Sequence, residues 1–151
     1  MIVGYQEWRD LLFLHWRVPA AAVRPHVPRR LQLDERDGGA WVSMTPFTLR
    51  RGRLRGLPPL FDFHELNFRT YVTLPGRGPG IWFFSLDAAS AVAVVAARVS
   101  VRLPYFLAHM ERDVEVREEL SRAAGLPRLG APTLAHWSPG VAVDFHHIRP
   151  C

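Results

Sequence analysis

The sequence predicts an α+β fold that is mostly β, with several strands around one crossover helix in a closed or nearly closed sheet. The chain has 151 residues, and domains most often run to about 100–150 residues. Residues 64–74 alternate apolar and polar side chains, which is typical of a half-buried strand. Residues 88–102 are rich in alanine and valine, which favours one buried helix among the strands.

The first elements follow from apolar runs and turn signals. Residues 11–16 are apolar and aromatic-rich and predict a strand, and residues 19–26 predict a short helix that opens on a proline. Residues 31–34 predict a second strand. The Asp37-Gly38 turn signal then predicts that this strand pairs with residues 41–49. The proline within 41–49 indicates an edge position or a bulge.

An arginine-rich stretch follows, with Arg50, Arg51, Arg53 and Arg55 close together. Glycine and proline punctuate it, and no aromatic residue interleaves as a base-stacking surface requires, so we expect a solvated loop. The alternative is a patch that binds nucleic acid or an anionic surface, which the formal net charge of +5 allows.

The later elements begin after a glycine- and proline-rich loop at residues 75–80. Residues 81–86 predict a strand, and Asp87 is placed to cap the helix over residues 88–102. The valines of that segment leave a strand as the alternative. Residues 104–110 predict the return strand.

The composition changes after residue 110. Five acidic residues lie between 111 and 119, so residues 111–124 predict an exposed helix that ends at Gly125. The remainder is predicted to be irregular, with one short apolar run at 141–143. We therefore divide the chain into a barrel-like domain, residues 1–110, and a divergent tail, residues 111–151.

Composition excludes several functions. All 19 basic residues are arginine, so this chain offers no lysine for a Schiff base, for pyridoxal phosphate or for a phosphate loop. No dinucleotide fingerprint is present, and we expect no cofactor. The longest apolar run, residues 91–97, is far short of the roughly 20 residues of a membrane helix. With no secretory signal and the single cysteine Cys151, we expect a cytoplasmic location and no membrane partner.

Six segments in order resemble the YqjF-like family of uncharacterised bacterial proteins, in the acetoacetate-decarboxylase-like superfamily. The resemblance covers about residues 8–110. The segments that carry it are Trp8-Arg9-Asp10-Leu11-Leu12-Phe13-Leu14-His15-Trp16, Ala40-Trp41-Val42 with Pro46-Phe47, Arg55-Gly56-Leu57-Pro58-Pro59, Glu65-Leu66-Asn67-Phe68-Arg69-Thr70-Tyr71-Val72, Trp82-Phe83-Phe84-Ser85-Leu86-Asp87-Ala88 and Leu103-Pro104-Tyr105-Phe106.

The resemblance implies an acetoacetate-decarboxylase-like β-barrel around a central cavity, incomplete or open here because the likeness fades near residue 110. It implies no established activity, so whether the chain is an enzyme is left open. The resemblance implies a relation to decarboxylases of this superfamily, which use a lysine Schiff base with a glutamate and an arginine nearby. Without lysine that chemistry is not inherited. A truncated or inactive member, with a divergent or frame-shifted end, is the alternative.

The candidate site lies on one face of the strand at residues 64–74. Glu65, Asn67, Arg69 and Tyr71 alternate with apolar residues and share that face. Arg69 is suited to a small carboxylate and Asn67 and Tyr71 to hydrogen bonds, while Glu65 would transfer protons if a cavity raised its pKa. The alternative is that this face points to water.

Two further expectations concern histidines and partners. His15, in an apolar strand, is the proton-transfer partner if its strand borders the cavity, and otherwise a core or rim residue. His136, Asp144, His146 and His147 match no closed zinc pattern, so we expect no metal. We expect a small-molecule ligand, and self-association through exposed strand edges, rather than nucleic acid.

Overall fold

The computed structural model describes residues 2–59, 61–91, 94, 104–107 and 122–146. Eight strands of these residues form one sheet in the order β7-β6-β5-β4-β1-β8, with β2 paired to β5 and β3 paired to β4. The elements are β1 (Ile2–Val18), α1 (Ala20–Val23) with a 3-10 turn (Arg24–His26), β2 (Gln32–Leu33), β3 (Glu35–Arg36), β4 (Gly39–Leu54), β5 (Phe61–Leu74), β6 (Gly78–Ala88), β7 (Tyr105–Leu107) and β8 (Leu134–His146).

The sheet is antiparallel except between β6 and β7, which run parallel. In the described residues β7 and β8 are the two edges and do not pair with each other, so the sheet is open. This confirms the mostly β fold and the open, incomplete closure expected from the sequence.

The apolar core lies on the face of the sheet that carries the even-numbered residues of β5. Phe68 and Val72 of β5 are buried there with Met44 of β4 and Trp16 of β1. The short helix α1 covers this face with Val23, which is fully buried, and the loop after Gly125 adds two leucines, Leu126 and Leu129. The burial of these apolar side chains is the main stabilising contribution to the fold.

Register shifts interrupt four strand pairs, namely β1–β4, β1–β8, β4–β5 and β5–β6. In β1 one extra residue lies between Arg9 and Leu14, opposite the part of β4 that holds Pro46. Pro46 itself pairs in regular register with Leu66 of β5, and β4 is a central strand, so the bulge or edge position expected at this proline is not found there. A second extra residue lies on β4 between Leu49 and Gly52. A third lies on β6, where Phe68 pairs with Ser85 but Arg69 pairs with Phe83. Bulges of this kind bend a strand and redirect side chains.

Two predictions in the first half of the chain are wrong. The Asp37-Gly38 turn has positive φ at both residues and joins β3 to β4, whereas β2 pairs with β5. The arginine-rich stretch is no loop, because β4 continues through Leu54. The bulge at Arg51, which has a φ of 52°, lets the strand continue past Gly52.

The crossover between β6 and β7 is where the sequence places it. Parallel strands need such a connection, and Ala91 and Val94 are helical, with the Val94 amide donating to the Ser90 carbonyl at 3.0 Å. Asp87 is not the cap, because β6 runs through it and its carboxylate accepts a hydrogen bond from Ser85 at 2.7 Å. Residues 92, 93 and 95–103 of the expected helix lie outside the described residues.

The last part of the chain contains a strand where an irregular tail was predicted. Of the helix expected over residues 111–124, residues 111–121 lie outside the described residues. Arg122 and Ala123 are helical, and Gly125 follows with a φ of 69°, as the sequence suggested. Strand β8 then pairs with β1 along the sheet edge. An edge strand tolerates the proline and glycine that led to the wrong prediction.

Within the residues that the structure describes, no helix has the length and apolarity needed to cross a membrane.

Candidate functional site

The polar residues of β5 are buried. Glu65, Asn67 and Arg69 are exposed to only 3%, 2% and 8%. Their neighbours across β4 are Phe47 and the fully buried Thr45 and Ser43. A face that points to water would leave these side chains exposed, so the alternative of an ordinary wet sheet surface is wrong.

Glu65 lies in a poorly solvated position near the end of β6. Burial raises the pKa of its carboxyl to about 7, with a small further contribution from the charge of Asp87, while hydrogen bonds from Tyr105 and Asn67 oppose the rise. The Tyr105 hydroxyl donates toward both carboxylate oxygens at 3.4 and 3.5 Å. A carboxyl group with a pKa near neutrality is able to give up or accept a proton at physiological pH.

Arg69 is a buried cation. Its guanidinium lies 5.9 Å from the centre of the Phe13 ring, and it forms no ion pair within the described part of the chain. Burial lowers the pKa of the guanidinium, whereas the charge and hydrogen bond of Tyr71 oppose that change. Its Nε and the Oδ1 of Asn67 are buried atoms that find no hydrogen-bond partner among the described residues. Such unpaired atoms are unfavourable unless water or a ligand satisfies them.

Tyr71 and His15 continue this polar face toward the surface. The Tyr71 hydroxyl lies 3.3 Å from Nδ1 of His15, whose ring stacks parallel to Phe13 at 6.4 Å between centres. Burial lowers the pKa of His15, and the nearby charges of Arg69 and His136 lower it further. His15 is therefore placed as a neutral acceptor or donor at the rim of the site.

A hollow of about 480 Å³ opens beside His15 and Tyr71. Its other walls include Trp41, Asp34 and His136. The described residues that line it do not include Glu65, Asn67 or Arg69. Tyr71, which contacts Arg69 and lines the hollow, connects the open part of the site to its buried part.

The sequence missed two residues of this arrangement. Tyr105 reaches Glu65 because the parallel pairing of β7 with β6 places it opposite Leu86, a long-range relationship that local patterns do not reveal. His136 faces His15 with ring centres 6.0 Å apart, because β8 pairs with β1. The sequence pattern offers His136 only as a metal ligand, in a segment predicted to be irregular.

Within the described residues, no three His, Cys, Asp or Glu side chains lie close enough together to hold a metal ion. The arginines of β4 contact other side chains: Arg50 pairs with Asp62 at 3.1 Å, and Arg51 with Glu7 at 3.6 Å. The guanidinium of Arg53 lies 5.0 Å from the Tyr5 ring centre.

Residues 5–140 match the DUF2071 family, whose members are described as uncharacterized conserved proteins. The chain belongs to this family. The match continues past residue 110, where the resemblance was expected to fade, and so includes the start of β8. The uncharacterized protein YqjF of Bacillus subtilis (strain 168) is 50% identical over 111 residues, which are 72% of this chain and 46% of that protein.

Solved structures with this fold include acetoacetate decarboxylase from Legionella pneumophila, with a TM-score of 0.59 and 16% identity over 76% of this chain and 42% of that one. A second is the enduracididine biosynthesis enzyme MppR, complexed with the condensation product of pyruvate and imidazole 4-carboxaldehyde. Its TM-score is 0.53, with 16% identity over 71% of this chain and 41% of that one. At these identities the likeness shows the fold alone. The chain spans less than half the length of each of these relatives.

Proposed function

We propose that this DUF2071 chain binds a small organic acid or a related carbonyl compound between Arg69 and the hollow beside Tyr71. The observation that carries the proposal is the buried guanidinium of Arg69, which lacks an ion pair and has an unpaired Nε within the described residues. A buried cation without a counter-charge is costly, and a ligand carboxylate would supply that charge together with the missing acceptor.

The neighbouring atoms favour a particular kind of acid. The Nε of Arg69 is a donor without an acceptor, and the Oδ1 of Asn67 is an acceptor without a donor. A 2-hydroxy acid offers both, since its carboxylate accepts and its hydroxyl donates. We therefore expect lactate to bind more tightly than propionate, which has the same carbon chain but no hydroxyl group.

Glu65 and His15 are the proton-transfer groups of the proposal. The carboxyl of Glu65 titrates near neutrality, and His15 borders the hollow through which a ligand would enter. The absence of lysine leaves no Schiff base in this chain, so these residues would act on a non-covalently bound ligand. Binding is the proposed function, and a cytoplasmic setting stays a prediction.

A thermal-shift comparison tests the proposal. Wild type and Arg69→Ala are heated with lactate, pyruvate, propionate and uncharged 1-propanol, and each protein is compared with its own ligand-free melting temperature. A ligand at 100 times its Kd stabilises a folded protein by about 2.7 kcal/mol. We expect lactate or pyruvate to raise the melting temperature of wild type but not that of Arg69→Ala.

The matched control is Arg55→Ala, which removes an exposed guanidinium from the turn after β4. We expect this variant to respond to the acids as wild type does. Equal responses of wild type and Arg69→Ala, or no response of wild type to any acid, would contradict the proposal.

A further inference from the structure

A second hollow lies at the β5–β6 hairpin, away from the site described above. Its volume is about 870 Å³, within the range of about 300–1,000 Å³ typical of small-molecule sites. It shares no lining residue with the hollow beside Tyr71. Whatever it binds is therefore separate from the proposed organic-acid site.

The walls of this hollow are mainly apolar. Trp82 and Phe84 of β6 line it together with Val72 of β5, and all three also belong to or pack against the apolar core. The indole Nε1 of Trp82 donates to the His26 carbonyl at 3.1 Å, so the ring is anchored by its polar edge. An aromatic and aliphatic wall of this kind favours an apolar ligand.

The charges around the hollow have one sign. Arg30 and Arg77 line it with His26, and the described residues of its lining include no aspartate or glutamate. Neither arginine forms an ion pair within the described part of the chain. Both are exposed, which places their charges where the hollow meets solvent. The hollow thus combines an apolar wall with a positively charged rim.

We propose that this hollow binds an amphiphile, an apolar chain with a single anionic head group that pairs with Arg30 and Arg77. The apolar chain lies against Trp82 and its neighbours, and the head group stays at the rim, where the guanidinium groups pair with a carboxylate or a phosphate. An uncharged molecule would gain only the apolar contacts, and a short acid would gain only the charge.

Gly80 offers a way to close the hollow without straining the fold. It lines the hollow, and a Cβ added there would meet no atom within 4 Å. A leucine at this position would extend into the open space, since Gly80 lies opposite Val72 in the strand pair and so shares its face. Gly80→Leu should therefore fold normally and exclude the ligand.

Calorimetric titration with decanoate, decyl phosphate and decanol, each below its micelle concentration, tests the proposal. We expect at least one anionic probe to bind wild type and to bind it tenfold or more tightly than decanol does. The anionic probe that binds more tightly identifies the head group. The double variant Arg30→Ala/Arg77→Ala should lose tenfold or more in affinity, and Gly80→Leu should show no binding.

Arg55→Ala is the control for a general loss of positive charge and should bind as wild type does. Circular dichroism of each variant shows whether it has kept its fold. Three results would overturn the proposal: no binding of either anionic probe, unchanged affinity in the double arginine variant, or decanol affinity equal to that of the anionic probes.

Discussion

The hydroxyl of Tyr71 lies 3.3 Å from Nδ1 of His15, and both residues line the open hollow. Tyr71 also supports the charge of Arg69 through a hydrogen bond. Tyr71 therefore interacts with His15 at the rim of the candidate site and raises the pKa of the buried Arg69 against the effect of burial. A ligand that reaches Arg69 from the hollow would pass Tyr71.

Replacing Tyr71 by phenylalanine tests that connection. Tyr71→Phe removes the hydroxyl and leaves the ring, so we expect acid binding to weaken by about 1 kcal/mol, or about fivefold, the usual net value of one hydrogen bond. The measurement is calorimetric titration with the acid that stabilises wild type most. The control is Tyr5→Phe, because Tyr5 of β1 lies outside the site, beneath the guanidinium of Arg53. This variant should bind the acid as wild type does. Equal binding by Tyr71→Phe and wild type would exclude the hydroxyl from the site.

The pKa of Glu65 predicts a pH-dependent cost to stability. Its folded-state pKa of about 7 lies above the ordinary 4.5, so the folded protein binds the proton more tightly than the unfolded chain does. The free energy of unfolding should therefore fall as pH rises from 4.5 to 7 and then level off. With 1.36 kcal/mol for each unit of pKa shift, the loss between pH 5 and pH 8 is about 2–3 kcal/mol.

Glu65→Gln removes this titration and keeps a group of similar shape. We measure the free energy of unfolding in urea at pH 5 and pH 8. Relative to wild type, Glu65→Gln should show a gain in this free energy of about 2–3 kcal/mol from pH 5 to pH 8, because only wild type must bury a charge at the higher pH. Glu35→Gln, at an exposed position of β3, should show no such gain. If the difference between Glu65→Gln and wild type is the same at both pH values, Glu65 does not titrate as described.

The close packing of β8 on β1 depends on Gly140. A Cβ at this position would lie 2.8 Å from the Trp8 carbonyl oxygen and 2.9 Å from Cδ of Arg9. The carbonyl belongs to the backbone and cannot move freely, so we expect Gly140→Ala to lower the free energy of unfolding by about 1–3 kcal/mol. Gly80→Ala, where the added atom meets nothing within 4 Å, is the control in the same urea experiment. Equal stabilities of the two variants would show that β8 does not pack this closely.

The outer edge of β8 predicts self-association. Trp137 is 65% exposed on this strand, which pairs only with β1 among the described strands. Unpaired edges with exposed apolar residues are sites of strand pairing between molecules. We expect wild type to associate with rising concentration in sedimentation velocity, and Trp137→Lys to associate less.

Leu57→Lys is the matched control for that experiment, because Leu57 is exposed but lies in a turn outside the sheet edge. It should associate as wild type does. A wild type that stays monomeric over the whole concentration range would show that the edge of β8 does not mediate pairing.

Local sequence patterns were sufficient to predict the strand β5, but not the residues and strands that surround it. Alternation predicted the strand and which residues share a face with Arg69, because side chains in a strand alternate regardless of context. It could not decide which face is covered, since both faces of β5 are buried here. Tyr105 and β8 were missed because they meet the site through pairing between residues distant in sequence.

Glycine and proline residues account for two wrong predictions of irregular chain, and the reason is the same in both. In the arginine-rich stretch and in the segment of β8 they predict irregular chain, but β4 continues through Leu54 and β8 is a strand over Leu134–His146. At Gly52 a bulge accommodates the departure from regular pairing, and at Gly140 the missing side chain allows close contact with β1. These signals are ambiguous until the neighbouring strand is known.

The most direct test of the central claim is the Nε–H resonance of Arg69 in a ¹H–¹⁵N spectrum, assigned from its loss in Arg69→Ala. We expect this signal to exchange slowly with water because the atom is buried, and to shift when the organic acid that stabilises wild type most is added. The exposed Arg50, paired with Asp62, should show no shift. An Arg69 signal that exchanges rapidly with solvent, or that stays in place at saturating acid, would contradict the account.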